Sequence, residues 1–111
     1  MDSILRTVRK LVGVHENDPS FDEDLIIHIN TAFQALTQMG VGPADGFEIA
    51  DDTALWSDFT GNTIALNPVK TVVCQRVKLA FDPPANATIT QSIQNTIKEA
   101  EWRLHVNCNG G

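Results

Sequence analysis

NPVKTVVCQRVKLAFDPP, residues 67–84, is the stretch that decides the fold. Its apolar residues recur at the 3.6-residue period of a helix and form one broad sector, made of Val69, Val72, Val73, Val77, Ala80 and Phe81. A sector this broad predicts a helix that is contacted on several sides and therefore lies at the centre of the domain. Asn67 is the expected N-cap, Pro68 suits the first helical position, and Pro83 stops the helix. The Val and Thr content also permits a strand, but the spacing fits a helix better.

The N-terminal segment predicts an amphipathic helix over residues 2–13, ending near Gly13. Its apolar positions are Ile4, Leu5, Val8, Leu11 and Val12. The three basic residues of this helix are expected on the opposite side, at Arg6, Arg9 and Lys10.

A second helix is predicted over residues 20–39, before Gly40. Ser20 and Glu23 have the spacing of a capping box, in which each side chain accepts a hydrogen bond from a free backbone amide. One stripe faces the core, made of Phe21, Leu25, Ile29, Ala32, Phe33, Leu36 and Met39. Ile27 points away from this stripe, and a single outward isoleucine usually has no functional meaning.

Residues 40–65 are the least regular part of the chain and are rich in turn residues. A short strand is possible near 47–49. A short helix capped by Asp52 or Thr53 is expected to turn Trp56 and Phe59 inward. A long irregular segment in a small domain usually has a function, so this segment and the first helix are assigned to contacts with neighbouring molecules.

The last helix is predicted over residues 88–106, with a narrow apolar stripe made of Ile89, Ile93, Ile97, Ala100 and Leu104. Trp102 lies on the opposite side of this helix. It is either an anchor for a partner, since buried aromatic residues dominate interface energetics, or it is covered by a neighbouring loop. The polar tail, about 106–111, is expected to be mobile.

These elements predict one all-α domain over residues 1–111, a bundle of about four main helices with a long irregular loop between the second and third. No apolar run reaches the roughly 18 residues of a membrane span, and the N-terminus does not have the pattern of a signal peptide. Cys74 is expected to be a buried apolar residue and Cys108 a thiol of the tail, in a reducing compartment.

Charge is segregated along the chain, whose net charge is −6. Residues 11–69 contain ten acidic residues and no Lys or Arg, while all eight basic residues lie outside this range. Either the ends of the chain fold back on the middle, or the acidic part of one subunit faces the basic part of the next.

The motifs of catalysis, phosphate binding and structural zinc are absent from the sequence, which predicts a protein that is not an enzyme and has no cofactor. Asp51, Asp52 and Asp58 could hold a divalent cation, but loop acids are far more often surface residues or helix caps. An acidic chain is also poorly suited to grip DNA. Arg76 falls inside the apolar sector of the central helix. It is expected to meet a carboxylate, from the acidic loop or from another subunit.

Taken together, five segments resemble the head–tail connector (adaptor) proteins of long-tailed bacteriophages. They are ILRTVRKLVGV, SFDEDLIIHINTAFQALTQMGVG, GFEIADDTALWSDF, VKTVVCQRVKLAFDPP and KEAEWRL. The resemblance implies a mostly helical virion protein, made in the host cytoplasm, that forms a ring, commonly twelve-fold, beneath the portal. Such a ring extends the DNA channel without sequence-specific binding and meets a stopper or tail-completion protein. No catalytic residues come with this family.

The predicted contacts follow from exposure and charge. Contacts between subunits are assigned to Arg6, Arg9, Lys10, Asp51, Asp52, Asp58 and Arg76. Contacts with the portal are assigned to Trp102, Arg103 and His105. The alternative is a small acidic interaction or regulatory domain that acts as a monomer or dimer.

Overall fold

The computed structural model describes residues 3–61, 64 and 66–108. For residues 107 and 108 it describes the backbone but not the side chains. Within these residues it contains five helices: α1 (Ile4–Leu11), α2 (Asp22–Gln38), α3 (Trp56–Thr60), α4 (Leu66–Phe81) and α5 (Ala87–Cys108). The predicted all-α fold is confirmed.

The strand predicted near 47–49 is wrong, because the described residues contain only one isolated bridge, between Ser3 and Leu55. Asn30 on α2 takes the place of a strand partner. The Ile49 amide donates to Asn30 Oδ1 at 2.8 Å, and Asn30 Nδ2 donates to the Ile49 carbonyl at 3.1 Å. A side-chain amide thus satisfies both backbone groups that a neighbouring strand would otherwise pair.

Helix α4 is central, as its broad apolar sector predicts. It packs against α1, α2, α3 and α5. Its buried residues are Val69, Val72, Val73, Cys74 and Val77. The helix begins at Leu66, so Asn67 lies in its first turn and the predicted N-cap is wrong by two positions. Pro68 is tolerated there because the first four amides of a helix have no helical partner.

The predicted capping box of α2 is also wrong. Phe21 precedes the helix and no side chain caps it, while the Ser20 amide donates to Asp18 Oδ1 at 3.0 Å. The first turn of α2 carries three acidic residues in succession, from Asp22 to Asp24. Their negative charge interacts favourably with the positive end of the helix, which compensates for the missing cap.

One side of helix α1 belongs to the core of the subunit. Ile4, Leu5 and Val8 are fully buried, whereas Leu11 is 55% exposed and does not join the predicted stripe. Arg9 is only 4% exposed, although its predicted position was on the polar face. The solvent-facing side of α1 is therefore narrower than its periodicity predicts.

The irregular segment between α2 and α3 also contributes to the core. Phe33 of α2 contacts Phe47 and Phe59, with ring centroids 4.9 and 4.7 Å apart. Trp56 and Phe59 face inward as predicted. The cap predicted at Asp52 or Thr53 is wrong, since α3 begins after Leu55, whose amide donates to Asp58 Oδ2 at 2.8 Å.

Helix α5 continues to Cys108, two residues beyond its predicted end and into the segment predicted to be a mobile tail. Residues 109–111 lie outside the described residues. The stripe is buried only in its second part, at Ile97, Ala100 and Leu104, while Ile89 is 52% exposed.

Gly42 is a position where the fold requires glycine. Its φ is +92°, and a Cβ there would overlap the ring of Phe59. We expect Gly42→Ala to lower the free energy of unfolding by about 1–3 kcal/mol more than Gly46→Ala. Gly46 has a similar φ of +91° but no atom near its missing side chain, so it controls for backbone strain. Urea unfolding measures both, and equal losses would contradict the packing explanation.

Burial raises the pKa of the Cys74 thiol from 9.0 to about 12. At pH 8 the folded chain should therefore hold on the order of 1,000-fold less thiolate at Cys74 than the unfolded chain. In a Cys108→Ser background, iodoacetamide should label Cys74 only after unfolding in urea. Rapid labelling of Cys74 in the folded chain would contradict its buried position.

The same pKa shift makes stability depend on pH. Because the thiol of the unfolded chain ionises first, the free energy of unfolding should fall as pH rises between 9.0 and about 12.

Candidate interaction surfaces

A buried arginine joins three parts of the chain. Arg9 Nε donates to Asp22 Oδ1 at 2.9 Å and Nη2 donates to Asp22 Oδ2 at 2.6 Å. Arg9 Nη1 also donates to the Glu16 carbonyl at 2.6 Å and lies 4.0 Å from Asp52 Oδ2. The hydrogen bond to Asp22 is the main cause that raises the pKa of Arg9. This fork fixes α1 against the start of α2 and the loop between them.

The other residues predicted for subunit contacts divide into paired and exposed groups. Arg6 Nε lies 3.5 Å from Asp52 Oδ2 in the same chain. Asp51 Oδ1 accepts a hydrogen bond from the Thr53 amide at 2.9 Å. Asp58 caps α3, and Lys10 is exposed. The basic N-terminal helix thus folds back on the acidic middle, which was one of the two predicted explanations of charge segregation.

The carboxylate that meets Arg76 comes from α5. Arg76 Nε donates to Glu101 Oε2 at 3.0 Å, and Arg76 Nη2 donates to the same oxygen. The expected partner from the acidic loop is therefore wrong. Because α4 packs directly on α5, a carboxylate of this neighbouring helix lies within hydrogen-bond distance of Arg76. This pair fastens α5 to the central helix.

The three residues assigned to the portal are exposed on the second half of α5. Trp102 is 65% exposed, so no loop within the described residues covers it as the alternative explanation required. Arg103 is exposed and Nη2 donates to Glu99 Oε1 at 2.8 Å, one turn away. His105 is exposed as well. An exposed tryptophan beside a surface ion pair can bind a protein partner through both apolar and polar contacts.

Within the described residues, no group of three or more His, Cys, Asp and Glu side chains is placed to hold a metal ion. Asp51, Asp52 and Asp58 each have a local partner, namely Thr53, Arg6 and the Leu55 amide. No helix among the described residues is long and apolar enough to cross a membrane.

A scan against protein families gives a match to the phage connector protein family over residues 4–111. The chain belongs to the phage connector protein family. The match spans nearly the whole chain and includes all five helices. In the other comparisons, no curated protein and no solved structure matches the chain.

Membership of the connector family confirms the resemblance seen in the sequence and makes the chain a structural protein of the phage head–tail junction. The family is structural and not typically enzymatic. The features of this connector that bear on a structural role are its surfaces. The sequence did not reveal that Arg9 pairs with Asp22 of the same chain. Helical periodicity indicates on which face of a helix a residue lies but not which distant residue it contacts.

We expect Arg9→Gln to lower the free energy of unfolding by about 3 kcal/mol, because it leaves the partly buried Asp22 carboxylate without its cation. The matched control is Arg6→Gln, which removes an exposed ion pair and should cost less than about 1 kcal/mol. Chemical denaturation at neutral pH measures both variants. Equal losses would show that burial of Arg9 does not stabilise the connector.

Proposed function

We propose that this connector forms a closed ring beneath the portal, extends the DNA channel and joins the head to the next neck or tail protein. The family match over residues 4–111 is the observation that supports this proposal most strongly. Twelve copies are expected from the resemblance to adaptor proteins. The partners are other copies of the chain, the portal, and a stopper or tail-completion protein. The ring is part of the virion, and its subunits are made in the host cytoplasm.

Subunit contacts are proposed at the residues that remain on the surface. Lys10, Asp51 and Asp58 are exposed. Arg9 and Arg76 pair with carboxylates of the same chain. Their main role is therefore to stabilise the fold of the subunit, and a contact with a neighbouring subunit comes second. Arg6 and Asp52 are paired but partly exposed, with 52% and 36% of their side-chain surfaces accessible. Arg6 and Asp52 can also contact a neighbouring subunit with little loss of stability, because exposed ion pairs contribute little to the free energy of unfolding.

Portal contact is proposed at Trp102, Arg103 and His105. Interface hot spots are enriched in Trp and Arg, and a largely exposed Trp gains the most from being covered. Trp102 has this exposure, at 65%. The second half of α5 therefore presents an exposed surface on which a partner can dock.

DNA is proposed to pass through the ring without sequence-specific contacts. The chain carries 14 acidic and 8 basic residues, and all four arginines already pair with carboxylates of the same chain. An acidic lumen repels phosphate and so favours passage over binding. We further propose that the connector has neither catalytic activity nor a cofactor.

The proposal is tested by binding to a portal assembly encoded by the same genome. Trp102→Ala should weaken binding at least about 30-fold, the effect of losing a hot spot of about 2 kcal/mol. Its unfolding curve should not change by more than about 0.5 kcal/mol, since the side chain is on the surface. Leu11→Ala removes another exposed apolar side chain, at the end of α1, and is the control.

Biolayer interferometry on immobilised portal gives the affinities. Equal weakening by Leu11→Ala and Trp102→Ala would contradict the assignment of the docking surface. A wild-type chain that remains a monomer or dimer and never binds the portal would instead support the alternative, a small acidic interaction domain.

A further inference from the structure

The first half of α5 is exposed but carries no charge. Residues 87–97, ATITQSIQNTI, contain no Asp, Glu, Lys or Arg, although 20% of the chain is charged. Of these residues only Ile97 is buried, and Ile89 is 52% exposed. Depletion of charge on an exposed surface is typical of the core of a protein interface. This segment is named the neutral half-helix below.

A cleft of about 630 Å³ lies between α2 and the irregular segment. The α2 wall is polar and uncharged, with Thr31, Gln34 and Thr37 among its residues. The other wall contains the half-buried ring of Phe47, and the carboxylates of Asp45 and Glu48 complete it. Among the described residues that line this cleft, the charged ones are all acidic.

The start of α5 has the chemistry that such a cleft would accept. Helix N-termini carry a partial positive charge, which carboxylates stabilise. The first turn of α5 has no acidic residue, unlike that of α2. Its cap is neutral, because Asn86 Oδ1 accepts from the Thr88 amide at 2.7 Å. The exposed Ile89 beside this positive end provides an apolar group for Phe47.

The two surfaces belong to different parts of one subunit. Helices α2 and α5 both pack on α4. Two different complementary surfaces on one subunit generate a head-to-tail contact, which continues from copy to copy until the ring closes. A contact of this kind suits a ring and not a two-fold dimer.

We propose that the neutral half-helix of one copy docks in the α2 cleft of the next copy, with Ile89 against Phe47. The inference rests on the ring of the proposed function and identifies the surfaces that join its subunits. A helix segment of 11 residues is only about 16 Å long. Such a contact falls below the roughly 800 Å² per partner of a stable pair, so two copies alone bind weakly and ring closure on the portal adds the remaining stability.

Cysteine cross-linking tests this contact in the assembled protein. In a Cys108→Ser background, one preparation carries Ile89→Cys and a second carries Gln34→Cys, and the two are mixed on the portal and oxidised. We expect a disulfide-linked dimer of the two variants, and a ladder of larger covalent species when one chain carries both substitutions. Lys98→Cys replaces Ile89→Cys as the control, because Lys98 is exposed on α5 but lies outside the neutral half-helix and outside the proposed portal contact.

Charge variants give an independent test that needs no cysteine. Asp45→Asn with Glu48→Gln should weaken self-association on the order of ten-fold, because two carboxylates near a helix N-terminus are neutralised. Glu23→Gln with Asp24→Asn makes the same change in net charge elsewhere on the surface and should have a smaller effect. Equal effects of the two double variants would overturn the proposed contact.

The possible results separate this inference from the proposed ring. A wild-type ring on the portal without the 89–34 cross-link overturns the inference and leaves the ring standing. A specific 89–34 cross-link in solution, with no ring on the portal, overturns the proposed function and supports the contact. If the portal protects Gln34→Cys from alkylation even at chain concentrations too low for a ring to form, the cleft binds the portal and the inference is wrong.

Discussion

The burial of α4 is the constraint on which the rest of the structure depends. A helix with an apolar surface this broad is stable in water only when other elements cover it on several sides. Helices α1, α2, α3 and α5 provide that cover, and the aromatic cluster around Phe33 fills the space beside them. A chain of 111 residues has little material left for a second core. The surfaces that lie outside this core are therefore exposed and can contact partners.

Two arginine ion pairs fix helices around this core. Arg9 connects α1 to the start of α2, and Arg76 connects α4 to α5. Because these arginines pair with carboxylates of the same chain, acidic residues predominate on the remaining surface. For a connector, such a surface is consistent with a passage for DNA that does not retain phosphate. The same arrangement leaves the outer face of α5 free of the main packing contacts of the subunit.

Helical periodicity predicted the main helices and the central position of α4, because burial of an apolar sector leaves a regular signal in the sequence. It failed where a distant side chain decides the local structure. Asn30 replaced a strand partner for Ile49, and Asp22 drew Arg9 into the interior. The exposed Trp102 was predicted from its helical position, but its partner cannot be read from one chain. The inward positions of Trp56 and Phe59 were predicted, but the contacts of Phe47 with Phe33 and Phe59 were missed because they depend on tertiary packing and not on local spacing.

We propose that copies of the chain and the portal cover the exposed surfaces of the connector subunit. The most direct test is electron microscopy of the wild-type chain assembled on the portal of the same genome, with symmetry determined from the images. We expect a closed ring on the portal vertex, with a lumen wide enough for a DNA duplex and α5 of each subunit in contact with a neighbour. Isolated monomers or two-fold dimers on the portal, or no bound connector at all, would contradict it.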